Sequence, residues 1–249
     1  VSLVRSQKDG NFTPEKTIAS NHYEISAEQR ELSITLDTEL DRAGYYFLTF
    51  TQNPYVSLRL SEDRLTGVLA TFASFNKAVA TTNKQSPPED IGVESFEFWL
   101  PERRPKGKNF ALQIQPPLAC FGTDNLSHGP ARPTDQPNAW VASPEDQQAT
   151  LTMTWEQELT ISRITLELDP DWDHPMESVL MTHPEEVSPF MVKDLDLCDA
   201  SGATLSEIRG NHSAHLSIEL AEPVTTTSLE LKVLTTQGGP ASLFRVRVH

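Results

Sequence analysis

At 249 residues, with 37% hydrophobic and 22% charged residues, the chain has room for one large β domain or two ordinary ones and is too apolar to be disordered. Its net charge of −15 disfavours phosphate backbones and anionic membranes as partners. No apolar run reaches the roughly 18 residues of a transmembrane helix, so neither a nucleic acid nor a membrane is expected as a partner.

The chain starts VSLVRSQKDGNFTPEK, without an initiator Met or a basic-then-apolar leader, and reads as the cut end of a longer protein. Leu32, Ile34 and Leu36 alternate with polar residues, DRAG supplies a turn, and Tyr46, Leu48 and Phe50 alternate again. Val56, Leu58 and Leu60 follow Asn53-Pro54, and Phe96, Phe98, Leu100 and Phe110, Leu112, Ile114 complete the first half. Short period-two runs separated by Pro, Gly and Asp turns predict an antiparallel sandwich. The polar stretch 75–90, ending in Pro-Pro, reads as an exposed loop, and Arg103, Arg104, Lys106 and Lys108 as a solvated basic loop.

Gln115-Pro116-Pro117 is the predicted boundary, dividing the chain into residues 1–116 and 117–249. Beyond it, a Pro-rich loop ends at Trp140. Leu151, Met153 and Trp155 alternate with threonines, and Ile164, Leu166 and Leu168 alternate after a short turn, predicting two paired strands. Trp140 and Trp155 are predicted to pack a core. Val192, Leu195 and Leu197 lead to a turn at Asp199-Ala-Ser-Gly202. Leu216, Ile218, Leu220 and then Leu229, Leu231, Val233 form two further strands, and Phe244 to Val248 the last, which reads as the natural end of the protein. The expected fold class is therefore all-β, two tandem antiparallel β-sandwiches.

The irregular stretch LDPDWDHPMESVLMTHPEE (168–186) is the densest candidate site. From Asp169 to Asp199 there are nine acidic residues against one Lys193, the source of more than half the net charge. Asp169, Asp171, Asp173 and Glu177 supply oxygens of the kind Ca²⁺ takes, although the spacing and central Gly of an EF-hand are missing. His174 and His183 lack a helical zinc spacing, and a solvated acidic loop accounts for the same residues. Trp172, flanked by Asp171 and Asp173 with His174 beyond, would stack on a sugar ring if exposed while the carboxylates accept hydroxyl hydrogen bonds. The competing reading has Trp172 capping one end of the sandwich.

No Gly-x-Gly-x-x-Gly or Walker loop and no Gly-x-Ser-x-Gly elbow occurs, so no cofactor or catalytic residue is assigned to this chain. Carboxylate pairs for glycoside hydrolysis have no sequence spacing that reveals them. Cys120 and Cys198 make no disulfide framework, Cys198 being a predicted buried hydrophobe. Asn-x-Ser/Thr triplets occur at Asn11, Asn125 and Asn211.

The segment 125–168, with Asn138-Ala-Trp140 before its strands, and the strand–turn unit VKDLDLCDASG (192–202) resemble a discoidin-type, galactose-binding-like jelly roll. Four longer blocks, NPYVSLRLSEDRLTGVLATF (53–72), IGVESFEFWLPERRPKGKNFAL (91–112), ARPTDQPNAWVA (131–142) and DHPMESVLMTHPEEVSPFMVKD (173–194), resemble the C-terminal region of large bacterial FAD-dependent oxidoreductases. That resemblance implies FAD and the redox chemistry in a flavin domain preceding this chain, bacterial origin, and a non-catalytic role here in docking or in substrate recognition, a glycan among the options. An autonomous carbohydrate-binding module is the rival. A cytoplasmic and an exported location fit equally.

Overall fold

The computed structural model describes residues 1–5, 15–42, 44–51, 53–62, 65–68, 108–132, 136–143, 145–146, 148–169, 172 and 187–249, with the backbone of 71–75 and 99–103. The chain is all-β: its strands pair antiparallel throughout, and among the described residues the helical turn is the 3₁₀ segment Thr123–Ser127. No described helix is long and apolar enough to cross a membrane.

In the first half, β1 (Ser2–Arg5) lies between β2 (Lys16–Ser20) and β3 (Tyr46–Thr49). β4 (Leu60–Ser61) pairs with β7 (Asn109–Phe110), and β5 (Thr71–Phe75) with β6 (Trp99–Arg103). Among the described residues these strands are short, two to five residues each, and several of the predicted runs form no ladder. Leu32, Ile34 and Leu36 do alternate half-buried with exposed neighbours, yet they form no ladder. The Thr35 carbonyl accepts instead from Asn21 Nδ2 (3.0 Å) and the Tyr23 hydroxyl (3.3 Å), side chains occupying the place of a partner strand. Val56 and Leu58 are also outside any strand: Asn53 closes a turn, its Oδ1 accepting from Tyr55 N and its carbonyl from Val56 N. The Leu112 and Ile114 run ends against Pro116 and Pro117, which have no N–H to donate to a ladder. Phe96, Phe98 and most of 75–90 lie outside the described residues. Lys108, from the basic cluster, pairs with Glu62 at 3.0 Å.

Among the described residues, two buried apolar clusters form, both in the second half. A five-stranded sheet runs in the order β11 (Thr204–Ile208), β10 (Val192–Asp199), β12 (His215–Thr236), β9 (Thr150–Glu167), β14 (Arg245–Val248), and β8 (Trp140–Val141) pairs with β13 (Ser242–Leu243). No described sheet joins a strand from before residue 116 to one from after it.

The expected turn between Trp155 and Ile164 is absent, because Glu156, Gln157, Glu158 and Leu159 include none of the Gly, Pro, Asn or Asp that a hairpin needs. β9 instead runs unbroken for 18 residues and β12 for 22, merging strand pairs that the sequence suggests are separate. The two strands pair through two opposed irregularities. Between Glu219↔Arg163 and Val224↔Ile161, residues 220–223 face Ser162 alone; between Thr226↔Leu159 and Ser228↔Thr154, residues 155–158 face Thr227 alone. Each bulge changes which side of the strand faces inward. Buried positions accordingly pass from Leu151 and Ile161 to Ile164 and Leu166 on β9, and from Ile218 to Leu229 and Leu231 on β12. Both halves therefore bury side chains in one cluster with Leu195, Leu197 and Trp140, which is what a sheet folded over on itself as a sandwich requires. Pro223 sits in the first bulge, where the ladder is already interrupted and its missing N–H costs little.

Thr226 holds the second bulge. Its buried hydroxyl donates to the Ser228 carbonyl (2.9 Å) and accepts from the Ser228 amide (3.2 Å). Thr226→Val keeps the shape and strands both groups, so it should cost about 1–3 kcal/mol, whereas Thr226→Ser should cost less. Equilibrium urea unfolding of the two variants measures the difference; equal costs would refute the hydroxyl's role.

The predicted turn at 199–202 forms as expected. Asp199 Oδ1 accepts from the Ser201 amide (2.8 Å), the Ser201 hydroxyl (2.6 Å) and the Ala203 amide (2.9 Å), and Gly202 takes φ +84°. These bonds favour the ionised carboxyl and hold Asp199 below the usual carboxylate range, the Ser201 side chain having the largest effect.

Candidate functional site

One end of the second-half sandwich collects the described parts of four connections: 118–132 with 136–139, Asp169 and Trp172 with 187–190, 209–214, and 237–241. Backbone bonds tie them together: Val141 N to Phe121 O (3.1 Å), Leu168 N to Ala214 O (2.6 Å), Asn211 N to Lys193 O (2.8 Å) and Gly239 N to Pro189 O (2.6 Å). Asp169, half-buried, takes φ +50°, a left-handed conformation that Asp tolerates better than most residues, and turns the chain away from β9.

Trp172 is buried, 5% exposed, with its ring centroid 4.9 Å from Phe121 and 5.1 Å from Phe190 in tilted contact. Ala139, Val141 and Phe244 complete this second cluster. The ring faces are thus spent on aromatic neighbours, and an exposed stacking platform at Trp172 is corrected to the capping role. Its indole N–H is buried and has no hydrogen-bond partner among the described residues. Asp171, Asp173, His174 and Glu177, proposed with it as sugar or calcium ligands, lie outside the described residues. Of the four calcium candidates only Asp169 is described, and no group of three His, Cys, Asp or Glu able to hold a metal occurs among the described residues.

Side-chain amides stiffen the surrounding loops, a role the sequence reading missed. Asn125 Nδ2 donates to the carbonyls of Cys120 (2.9 Å) and Ala139 (2.7 Å), and Asn138 Nδ2 to those of Pro130 (2.8 Å) and Arg132 (2.7 Å). Asn211, 7% exposed, donates to Val192 O (2.8 Å) and Ser213 O (3.1 Å) and accepts from Ser213 N (2.9 Å). A glycan on Asn211 would break this network, which explains the triplet there as structural. Cys198 is buried as expected, and both cysteines are free thiols.

Asp194 fixes the 209–214 loop to the sheet. It accepts from the Thr235 hydroxyl and from the Gly210 amide (2.7 Å), and these two bonds, the Thr235 one foremost, hold its carboxyl below the usual carboxylate range. A group with a lowered folded-state pKa contributes stability that is present above its unfolded value and lost as pH falls through the folded one. Asp194→Asn should therefore flatten the acid limb of the stability–pH curve, below about pH 4, and leave its neutral-to-alkaline limb unchanged in slope. Thermal melts across pH 2–7, taken as roughly the carboxylate window and above, test this; an unchanged acid limb would refute it.

No protein-family model and no curated protein matches the chain. Solved structures do match parts of it. The family 32 carbohydrate-binding module of Streptococcus pneumoniae EndoD is 18% identical over 56% of this chain and 90% of its own, with a TM-score of 0.40. The family 32 module of C. perfringens NanJ, solved with galactose, is 11% identical over 53% and 86%, at 0.39. A Streptococcus pneumoniae fucose-binding module, SpX-3, is 14% identical over 53% and 86%, at 0.38.

Proposed function

We propose that this chain is a non-catalytic recognition module that binds a glycan through the loop end of residues 117–249, a galactose-binding-like sandwich separate from residues 1–116. The observation that carries this reading is the convergence of four connections on one end of a closed core, pinned there by the Trp172 cluster and by Asn125, Asn138 and Asn211. Loops on a rigid scaffold are where binding residues concentrate, and preorganised loops reduce the ordering cost of binding a polar ligand. In this reading the acidic residues that follow Asp169 in sequence supply the hydroxyl acceptors. Asp171, Asp173 and His174 are its sugar-binding residues in this reading, with Trp172 as their anchor. A calcium ion held by Asp169, Asp171, Asp173 and Glu177 is the lesser version of the same site.

The test is a glycan array probed with the full chain, with and without chelator, and including galactose and fucose, the sugars that two of the similar modules are described with. Binding abolished by Asp171→Asn with Asp173→Asn, at unchanged melting temperature, is the expected result. An array without hits, or hits indifferent to these substitutions, ends the proposal. Loss of the hits on chelation selects the calcium version. Attachment to a flavin domain rests on the four sequence blocks, and the comparisons add nothing to it. A parent reading frame lacking a Gly-x-Gly-x-x-Gly domain upstream would remove it.

A further inference from the structure

The outward face of β12, β9 and β14 is a register-locked grid of polar side chains. Val246 and Val248, Ile164 and Leu166, and Leu216 and Ile218 all pack against the core, so their neighbours on each strand point to solvent. Register sets these neighbours in three rows: Arg245, Glu167 and His215; Arg247, Thr165 and Ser217; and His249, Arg163 and Glu219. Residues 117–249 contain seven Lys and Arg against twenty Asp and Glu, yet three of those seven and only two of those twenty stand on this grid. Positive charge is thus concentrated on one face of a strongly acidic unit.

The guanidiniums are loosely held. Arg163 Nη1 is 3.9 Å from Glu219, Arg247 Nη1 is 3.9 Å from Glu167, and both arginine side chains are nearly half exposed. Contacts at that distance on a surface are worth little and leave the donor fork open. Arg245 is oriented by the Gly129 carbonyl, and Thr165 Oγ1 meets His249 Nε2 at 3.1 Å.

From this juxtaposition we propose that the face binds an acidic polysaccharide, its carboxylates engaged by Arg163 and Arg247 and its hydroxyls by Thr165 and Ser217. A carboxylate presents two coplanar oxygens that match the guanidinium fork. Arg245 and Arg247 stand about 7 Å apart along the strand, so the contacts repeat along an extended chain. The grid has no Trp, Tyr, Phe or aliphatic side chain to serve as a buried anchor, which argues against a protein partner. The grid borders the loop end where Arg245 meets the Gly129 carbonyl, but its proposed contacts use other side chains, so separate substitutions test the two sites.

Affinity electrophoresis of the full chain through a gel containing a polyuronate, at low salt, reads the binding. Retardation should weaken at least about fivefold in Arg163→Gln with Arg247→Gln and diminish with added salt, as charge-assisted contacts do. A control, Lys193→Gln with Lys232→Gln, removes the same charge elsewhere and should retain binding, as should Asp171→Asn with Asp173→Asn. No retardation, equal retardation of the grid and control variants, or equal retardation by dextran sulfate or duplex DNA would overturn the proposal. The last two results would mean general charge attraction. Matching melting temperatures show that the exposed arginines were removed from a folded protein.

Discussion

Trp172→Ala is expected to lower the unfolding free energy by about 3–5 kcal/mol, the cost of emptying a buried aromatic site. The ring is 5% exposed and lies between Phe121 and Phe190, and it is the described residue through which the acidic segment joins the core. Trp172→Phe should cost less than about 1.5 kcal/mol, because it keeps most of the aromatic contact and removes an indole N–H that has no partner among the described residues. Urea unfolding at constant m separates the two values. A loss under about 1 kcal/mol for the alanine variant would show that the ring is peripheral to the core. For the glycan reading, any binding defect of Trp172→Ala reports lost anchoring, which is why the carboxylates beside it are the residues to substitute.

The sequence made the second-half core legible because its strands combine strict alternation with near-complete burial. Leu195, Leu197, Ile164, Leu166, Leu229 and Leu231, all predicted to face inward, are each 0% exposed. The Asp199 turn was equally readable, since Asp and Gly state the backbone geometry they need. Alternation alone could not reveal that β9 and β12 each continue through a bulge: the change of phase at residues 161–164 looks the same whether the chain reverses or bends. In the first half the same pattern overstated the strands, because side chains such as Asn21, Tyr23 and Asn53 competed for the backbone groups.

The candidate sites differ in the same way. Trp172 stood out for its acidic neighbours, and those neighbours suggested exposure. Its burial depends on Phe121, Phe190 and Phe244, which approach from distant parts of the chain. The basic grid was missed because Arg245 and Arg247 appeared only as the polar half of a strand pattern. Their alignment with Arg163 and the two glutamates follows from cross-strand register, which no single segment contains.

Gly239→Ala is expected to destabilise by about 1–3 kcal/mol through overpacking, although alanine is ordinarily the better residue for chain entropy. A Cβ at this position would stand 2.6 Å and 2.8 Å from Phe190 Cδ1 and Cε1 and 3.2 Å from the Pro189 carbonyl oxygen. Phe190 is 0% exposed and held against Trp172, so the ring has little room to retreat. Gly239 is itself fixed, donating its amide to Pro189 O while its carbonyl accepts from the Thr236 hydroxyl (2.5 Å). The clash therefore transmits from the 237–241 loop into the aromatic cluster that holds Trp172. Phe190→Leu alone should cost about 1–2 kcal/mol, and in the Gly239→Ala background the second substitution should cost less, because the smaller side chain makes room for the methyl. A double-mutant cycle read by urea unfolding measures that coupling. Additive costs would mean that the loop and the cluster yield independently, and that the loop end is less rigid than its contacts imply.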